Sequence, residues 1–179
     1  MEKNTLIIMV DNQNDFHTGA LANPSAVKIV EPTKLFLESM RDRAYVLATR
    51  DTHEANYMDT QEGKKLPVAH CIRGTWGWEV VDELKPYVQS YVDKKSFGYL
   101  NFMQDIMNIM MKEDTVFKQI ILIGTCTDIC VVSNALILKA TFPEVKVVVM
   151  KDLCAPLMGD EKFQEAALTV MCNCQVEVI

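Results

Sequence analysis

The sequence predicts an α/β protein with a three-layer, doubly wound (Rossmann-like) sheet of about six mainly parallel strands and helices on both faces. Short apolar runs alternate with longer segments of helical period, which is the pattern of successive βαβ units. Several of these runs end directly at a polar side chain, as expected where parallel strands open onto a ligand crevice. The strand order 3-2-1-4-5-6 is typical of such sheets, and we expect it here.

Apolar runs rich in Val, Ile and Leu predict the strands, because a parallel strand that is covered on both faces has no polar side. The strands lie near residues 5–10, 44–50, 88–93, 119–124, 145–150 and 174–179. The helices between them lie near residues 24–43, 78–85, 100–112, 128–141 and 160–171. The first helix can kink or restart at Pro32. Its apolar residues at roughly helical spacing are Val27, Val30, Leu35, Leu37 and Met40.

Composition and charge exclude several classes of function. With 179 residues, 49% of them hydrophobic, the chain is expected to fold as one domain over residues 1–179. A net charge of -6 and scattered Lys and Arg residues offer no basic face for nucleic acid. The first apolar run is too short for a signal peptide or a membrane span. Since six cysteines are also few for a disulfide scaffold, we expect a cytoplasmic protein without a membrane partner.

The longest segment without clear periodicity covers residues 52–76. Loops above about 12 to 15 residues are uncommon inside a compact domain and are usually functional or disordered. This loop carries His53, Glu62 and His70 and begins next to Asp51. Residues two apart at a strand end project to one side, so Asp51 and His53 present an oxygen and a nitrogen together. The set suits zinc, iron or manganese; the alternative is that the histidines only hydrogen-bond the loop.

A thiol is predicted near the start of the helix that follows the fourth strand. The run GTCTDICVVSNALILKA passes from a strand end into a helix, and an N-cap at Thr127 or Asp128 places Cys130 in the first turn. The helix dipole and backbone N–H groups there favour a thiolate, and the same groups can form an oxyanion hole. The alternative is a small core residue, because free cysteine is among the most buried residue types.

Two further polar side chains are expected at the same crevice. Asp11 directly follows the first strand and can accept a thiol proton, although an Asp at a strand end also caps turns. Lys94 and Lys95 follow the third strand and point to opposite sides, so only one enters the crevice. Spacing alone does not choose between them. His17 is interpreted as an ordinary turn histidine.

Five motifs together resemble the isochorismatase-like cysteine hydrolases, and nicotinamidases in particular. In chain order they are VDNQNDF, TRDTH, PVAHCIRGTWG, VDKKSFG and GTCTDICV. The resemblance covers nearly the whole chain. It implies a hydrolase of linear carbon–nitrogen bonds, which cleaves nicotinamide or another small carboxamide to an acid and ammonia through a thioester.

The resemblance also implies roles for the matching residues. Asp11 corresponds to the proton-accepting aspartate and Cys130 to the nucleophile, and the K-x-x-F-G context selects Lys94 as the lysine of the site. A cis peptide bond is implied between Thr125 and Cys126. The oxyanion is then held by the backbone N–H groups of Cys126 and Cys130.

A divalent metal ion is implied as the cofactor, zinc first and iron or manganese otherwise, with no organic cofactor. Asp51, His53 and His70 fall on ligand positions of the family, and Glu62 is our choice for the fourth ligand, which varies among relatives.

The substrate pocket departs from the nicotinamidase pattern. An aromatic residue usually precedes the ligand that corresponds to His70 by a few positions, but this chain has Leu66, Pro67 and Val68 there. Phe16 matches one aromatic wall of the pocket, and Trp76 is the candidate for a second wall.

Two other functions stay open at this point. In one, a metal-bound hydroxide attacks a different small amide and Cys130 is structural; in the other, the chain is a ligand-binding α/β module without catalysis. The turn DNQNDF has no glycines of a phosphate-binding loop, and Cys126 and Cys130 are not spaced as a redox C-x-x-C pair. The expected partners are a small-molecule amide and, by resemblance, further copies of the chain in a homo-oligomer.

Overall fold

The computed structural model describes residues 3–179, and its six strands form one sheet in which every neighbouring pair is parallel. The strands are β1 (Thr5–Val10), β2 (Ala44–Asp51), β3 (Ser90–Lys94), β4 (Gln119–Thr125), β5 (Lys146–Ala155) and β6 (Glu177–Val178). Their order across the sheet is β3-β2-β1-β4-β5-β6. The predicted fold class and strand order are therefore confirmed.

The central strand, β1, is buried along its whole length. It pairs with β2 and β4, so that Val10 lies level with Thr49 on one side and Gly124 on the other. β2 pairs with β3 in a register that places Asp51 beside Lys94. The carboxyl ends of these four strands therefore meet at one edge of the sheet, where doubly wound folds bind their ligands.

Helices cover both faces of the sheet. They are α1 (Asn14–His17), α2 (Pro24–Ser39), α3 (Gln61–Lys65), α4 (Phe102–Lys112), α5 (Val132–Thr141) and α6 (Glu161–Asn173). One face packs against α4, α5 and α6 through Phe102, Leu138 and Met171. The opposite face packs against α2 through Leu37 and against the segment 80–84. Full burial of each of these large apolar side chains contributes about 1.5 to 3 kcal/mol.

Helix α2 continues through Pro32 without a break. It begins at Pro24, where a missing N–H costs nothing, and the Asn23 side chain caps it by accepting a hydrogen bond from the Ser25 N–H at 3.0 Å. The residues that α2 buries are Ala26, Ile29, Thr33 and Leu37. Two residues predicted for this face, Val27 and Leu35, are instead exposed. The buried residues of α2 recur three or four positions apart, and Val27 and Leu35 fall outside that spacing.

The predicted helix over residues 78–85 is wrong. The structure has two short 3-10 turns there, Trp76–Trp78 and Lys85–Tyr87, and between them Val80 forms an antiparallel bridge with Gln13. The apolar side chains that suggested a helix pack against the sheet from irregular backbone; they are Val80, Val81 and Leu84.

Two smaller differences concern the last strands and the long loop. The final strand is shorter than predicted, and β5 extends to Ala155 after a register irregularity opposite Gly124. The loop 52–76 contains a 3-10 turn at Tyr57–Asp59 and the short α3 within otherwise irregular backbone. Within residues 3–179, no helix has both the length and the apolar character needed to cross a membrane.

Candidate active site

Asp11 is the first residue after β1, and the neighbouring strands hold it in place. Its backbone adopts a positive φ of 45°, and the Thr125 hydroxyl donates to its carbonyl oxygen at 2.8 Å. The Thr49 hydroxyl donates to Asp11 Oδ1 at 2.6 Å. Gly124 allows this close packing, because a Cβ at that position would overlap the Val10 carbonyl oxygen. The carboxylate is therefore buried in a fixed orientation.

Lys94, the last residue of β3, lies at the centre of a buried cluster of polar groups. Its Nζ atom is 2.7 Å from Asp11 Oδ2 and 3.4 Å from Asp51 Oδ1. The same atom is 3.5 Å from Cys130 Sγ. The Lys95 side chain, by contrast, is 72% exposed. The structure thus brings Lys94, and not its neighbour, together with the acid and the thiol.

Cys130 lies in a π-helical turn, Thr127–Val131, between β4 and α5. The peptide bond before this turn, between Thr125 and Cys126, is cis, as the resemblance implies. The Cys126 carbonyl oxygen accepts hydrogen bonds from the N–H groups of Ile129 and Val131 at 3.1 and 3.0 Å. Cys130 is only 4% exposed, so a substrate has little direct access to its thiol.

The surroundings of Cys130 favour a different protonation state from the predicted thiolate. Burial raises the pKa of Cys130 well above its usual value; Lys94 lowers it, but Asp11 and Asp51 act in the same direction as burial. Burial also raises the pKa of Asp11, against the ammonium of Lys94. Burial would lower the pKa of Lys94, but its anionic neighbours hold it well above the usual value. Burial and the two carboxylates therefore favour the thiol over the thiolate, and the anionic neighbours favour the ammonium form of Lys94.

Alkylation tests this arrangement. At about pH 7 we expect iodoacetamide to modify Cys172 and Cys174 before Cys130, since the reagent needs an accessible thiolate and only the first two are exposed. A time course followed by peptide mass spectrometry measures the order. Faster modification of Cys130 would show that its thiol is more open and more acidic than its burial indicates.

A second cluster lies beside the first and contains the predicted metal ligands Asp51, His53, Glu62 and His70. Their donor atoms all lie within 4.8 Å of one another. Asp51 Oδ2 is 3.0 Å from His53 Nε2 and 3.5 Å from His70 Nε2, and Glu62 Oε1 is 3.7 and 3.8 Å from the same nitrogens. Ligands bonded to zinc at about 2.0 to 2.1 Å in a tetrahedron lie about 3.3 Å apart. These spacings fit a divalent ion.

Hydrogen bonds orient the donor atoms of this cluster. His70 Nδ1 lies 2.8 Å from the Val68 carbonyl oxygen, so that nitrogen donates and Nε2 faces the cluster. The Gln13 side chain accepts from the Asp51 N–H at 2.7 Å and donates to the Asp51 carbonyl oxygen at 2.8 Å. Burial alone would raise the pKa of Asp51, but Lys94, His53 and His70 hold it far below its usual value. Asp51 therefore stays ionised and belongs to both clusters.

The two predicted aromatic walls have different positions. Phe16 is buried and contacts the His70 ring edge to face, with 5.8 Å between ring centroids. Trp76 is 60% exposed and lines a separate cavity that also touches His17, apart from the cavity beside the metal-ligand cluster. Trp78 packs near Phe16 instead, and its Nε1 donates to the Thr52 hydroxyl at 2.8 Å.

An open cavity of about 460 Å³ adjoins the metal-ligand cluster. It touches His53 and Glu62 on one side and the stretch 95–97, which directly follows Lys94, on the other. The Asp11 carboxylate, the Lys94 amine and the Cys130 thiol are buried and do not line this cavity. A small molecule can therefore reach the ligand cluster from solvent more readily than it can reach the thiol.

Sequence reasoning did not single out Asp15, although it belongs to the motif VDNQNDF. This buried carboxylate accepts hydrogen bonds from the N–H groups of Cys71 at 2.7 Å and Ala20 at 2.9 Å. A Cβ at Gly19 or Gly77 would overlap it. Asp15 thus ties helix α1, which carries Phe16, to the loop that carries His70. Its place in the motif that follows β1 is the signal in the sequence that could have indicated this.

Comparisons with known proteins identify the family of this chain. The profile of the isochorismatase domain family matches residues 5–179. The nicotinamidase of Saccharomyces cerevisiae is 25% identical over 195 aligned positions, which cover 86% of this chain and 89% of the yeast protein.

Two solved structures show the same fold. The pyrazinamidase of Pyrococcus horikoshii, solved in complex with zinc, superimposes with a TM-score of 0.80, 24% identity and 98% coverage of each chain. The N-carbamoylsarcosine amidase of Thermoplasma acidophilum superimposes with a TM-score of 0.74 and 27% identity, covering 99% of this chain and 95% of that one.

Proposed function

Since the chain belongs to the isochorismatase family of hydrolases, we propose that it cleaves the carboxamide of a small molecule through a covalent thioester on Cys130. One observation carries the proposal: the Lys94 ammonium contacts the Asp11 carboxylate and the Cys130 thiol at once, in the protein interior. A buried ion pair contributes little to stability, because the cost of desolvating both charges offsets most of their attraction. Its presence therefore indicates a chemical role. The named relatives, a nicotinamidase, a pyrazinamidase and a carbamoyl amidase, are amide-cleaving enzymes.

The proposed reaction proceeds in two steps. Asp11 takes the Cys130 proton as the sulfur attacks the carboxamide carbon, and the carbonyl electron pair moves onto the oxygen. The backbone N–H groups of Cys126 and Cys130 stabilise that oxyanion. The carbon–nitrogen bond then breaks, Asp11 returns the proton to the leaving nitrogen, and ammonia departs. Water that Asp11 deprotonates cleaves the thioester, which releases the acid and restores the thiol.

Lys94 supports this reaction by its charge. Burial raises the pKa of the Cys130 thiol and so favours its neutral form, which means that negative charge on sulfur and then on oxygen develops during the reaction. A fixed ammonium 3.5 Å from Sγ stabilises that charge in a dry site without reorganising solvent.

We further propose that Asp51, His53, Glu62 and His70 hold a zinc ion, with iron or manganese as alternatives. The donor set and its spacing support this, as does the zinc in the Pyrococcus pyrazinamidase. When bound, such an ion supplies a positive centre that orients a polar group of the substrate or acidifies a bound water.

Zinc binding is testable without any activity assay. Saturating zinc, at about 100 times its dissociation constant, is expected to stabilise the metal-free protein by about 2.7 kcal/mol, or about 5 to 10 °C in Tm. Glu62→Gln removes one anionic donor and is expected to weaken zinc binding about tenfold or more in calorimetric titration. Glu54→Gln is the control, because Glu54 lines the same cavity outside the cluster. Equal zinc affinity of both variants would contradict the assignment.

The pH profile tests the role of Asp11. As a base, Asp11 must be ionised, so kcat/KM is expected to fall as the pH drops through its pKa. Because burial raises that pKa, the fall should begin at a higher pH than for an ordinary aspartate, whose pKa is about 3.9. The measurement is kcat/KM against pH, with circular dichroism at each pH to exclude unfolding. Full activity down to about pH 4 would contradict the assignment.

Nicotinamide is the first substrate that we propose, with other small amides next. Phe16 beside His70 offers one aromatic contact for a ring, but Leu66, Pro67 and Val68 stand where nicotinamidases usually have a second aromatic residue. Similarity to a carbamoyl amidase adds N-carbamoyl compounds to the candidates. Ammonia release from nicotinamide, pyrazinamide, N-carbamoylsarcosine and aliphatic amides, with and without a chelator, decides among them. No release from any of these substrates by the zinc-loaded protein would overturn the proposed class.

We also propose a cytoplasmic location. All six cysteines of the chain are free thiols, four of them buried, and none is placed in a disulfide. Such thiols persist in a reducing compartment.

A further inference from the structure

The cavity beside Trp76 is separate from the proposed active site. It has a volume of about 470 Å³, within the range of about 300 to 1,000 Å³ that is typical of small-molecule sites. Its wall is formed by α1, by α2 and by the segments 76 and 81–83, and no residue of the two buried clusters lines it. We call it the α1–α2 cavity. The proposed reaction gives this cavity no role.

His17, the last residue of α1, brings an unsatisfied acceptor to the wall of this cavity. The residue is only 3% exposed. Its Nδ1 atom lies 2.8 Å from the Gln13 carbonyl oxygen, which can only accept, so Nδ1 carries the proton. Burial lowers the pKa of His17, against the opposite effects of the Gln13 carbonyl and Glu83, and so favours the neutral ring with a lone pair on Nε2. Within residues 3–179, Nε2 has no hydrogen-bond partner. A buried acceptor of this kind indicates that a ligand supplies the donor.

The charged side chains on the wall of the α1–α2 cavity are all acidic. They are Glu31, Asp82 and Glu83. Lys34 lies 3.3 Å from Glu31 and Lys85 lies 2.8 Å from Asp82, but neither lysine lines the cavity. A cation that enters the cavity therefore meets acceptors of negative charge and no competing ammonium on the wall.

The spacing of these acceptors excludes a single metal ion. In the part of the chain that the structure describes, only the Asp51 group brings three or more His, Cys, Asp or Glu donors within 4.8 Å of one another. His17 and the three carboxylates are spread more widely, so a ligand of several atoms is needed to reach them. Much of the remaining wall is apolar and consists of Val27, Val30, Val81 and the 60% exposed Trp76.

We propose that the α1–α2 cavity binds a small primary ammonium ion that carries an apolar or aromatic group. An N–H of the ammonium donates to His17 Nε2, and the carboxylates balance its charge. The apolar group packs against Trp76 and the valines, and the indole of Trp76 also attracts cations. A quaternary ammonium has no N–H for His17 and a neutral alcohol has no charge for the carboxylates, so both should bind more weakly.

Benzylamine, which is protonated near neutral pH, is the probe for this site. In calorimetric titration of the full chain we expect benzylammonium to bind at least about tenfold more tightly than benzyl alcohol or benzyltrimethylammonium. Proton NMR then locates the site. The chain has only three histidines, and benzylammonium should shift the imidazole signals of His17 while those of His53 and His70 stay in place.

Two variants test the contacts separately. His17→Phe removes the buried acceptor and should weaken binding of benzylammonium about tenfold or more. Glu83→Gln removes an exposed charge without disturbing the core and should weaken binding at least about threefold. Glu79→Gln is the matched control, because Glu79 lies four residues earlier, carries the same charge and does not line the cavity. Circular dichroism of both glutamate variants should match that of the wild-type protein.

The proposal is overturned if benzylammonium leaves the His17 signals unmoved, or if either comparison compound binds as tightly. Equal affinity of the Glu83→Gln and Glu79→Gln variants overturns it as well. Nα-acetyl-lysine methylamide presents the same ammonium as a protein side chain would; if it binds more tightly than benzylammonium, the cavity takes a lysine of another protein and not a small molecule. None of these measurements follows amide cleavage, so their failure would leave the proposed function untouched.

Discussion

Replacing Cys130 with alanine is expected to lower kcat about 10,000-fold or more, with residual activity from binding and the oxyanion hole only. The variant keeps Asp11 and Lys94 but has no atom that can form the acyl bond. It should fold normally, since one buried sulfur is lost from a site that is otherwise intact. The measurement is ammonia release under saturating substrate, with Tm recorded for each protein.

Cys154→Ala is the matched control for this experiment. Cys154 is 5% exposed, close to the 4% of Cys130, and it packs in the same apolar core. Both variants should lose similar stability, but only Cys130→Ala should lose activity. Rapid acid quenching of the wild-type protein during turnover, followed by mass spectrometry, should show the acyl group on the peptide that contains Cys130. A Cys130→Ala variant that keeps most of its activity would instead support direct attack by metal-bound hydroxide.

Replacing Lys94 with methionine is expected to remove activity and also to destabilise the fold by about 3 to 5 kcal/mol. The ammonium is the counter-charge for two buried carboxylates, Asp11 and Asp51, and methionine leaves both without it. For a chain of this length the loss corresponds to about 6 to 20 °C in Tm. Thermal unfolding of the metal-free protein measures it.

Two further variants separate charge from packing. Lys95→Met changes the neighbouring lysine, which is 72% exposed, and should alter neither Tm nor kcat appreciably. Adding Asp11→Asn to Lys94→Met removes one uncompensated charge and should restore part of the lost stability without restoring activity. If Lys94→Met unfolds at the wild-type temperature, the buried ion pair does not have the role that its distances suggest.

The strands were predictable because buried parallel strands have a strong local signal. The apolar run of β1 ends at Asp11, and its register with β2 and β4 places Thr49 and Gly124 around that carboxylate. The segment 78–85 was not predictable in the same way. Its apolar residues pack against the sheet, as those of a helix would, but the contact with Gln13 and the second 3-10 turn hold the backbone in another form.

The site was predictable where the position of a residue at a strand end determines which way its side chain points. Local spacing left Lys94 and Lys95 equivalent, and only the surrounding motif separated them correctly. The exposure of Trp76 and the neutral state of the Cys130 thiol depend on what packs around each group, and neither is encoded in the local sequence.

The carboxylate of Asp15 restricts how this enzyme can be re-engineered. Segments 15–20 and 71–77 pack together around this carboxylate. The first segment supplies the acceptor, and the second supplies a backbone donor and Gly77, where there is no room for a side chain. Grafting either segment alone from a relative with different substrate preference would leave a buried anion without its donor or would create a steric clash. Chimeras should therefore exchange both segments together, and libraries should leave Gly19 and Gly77 unvaried.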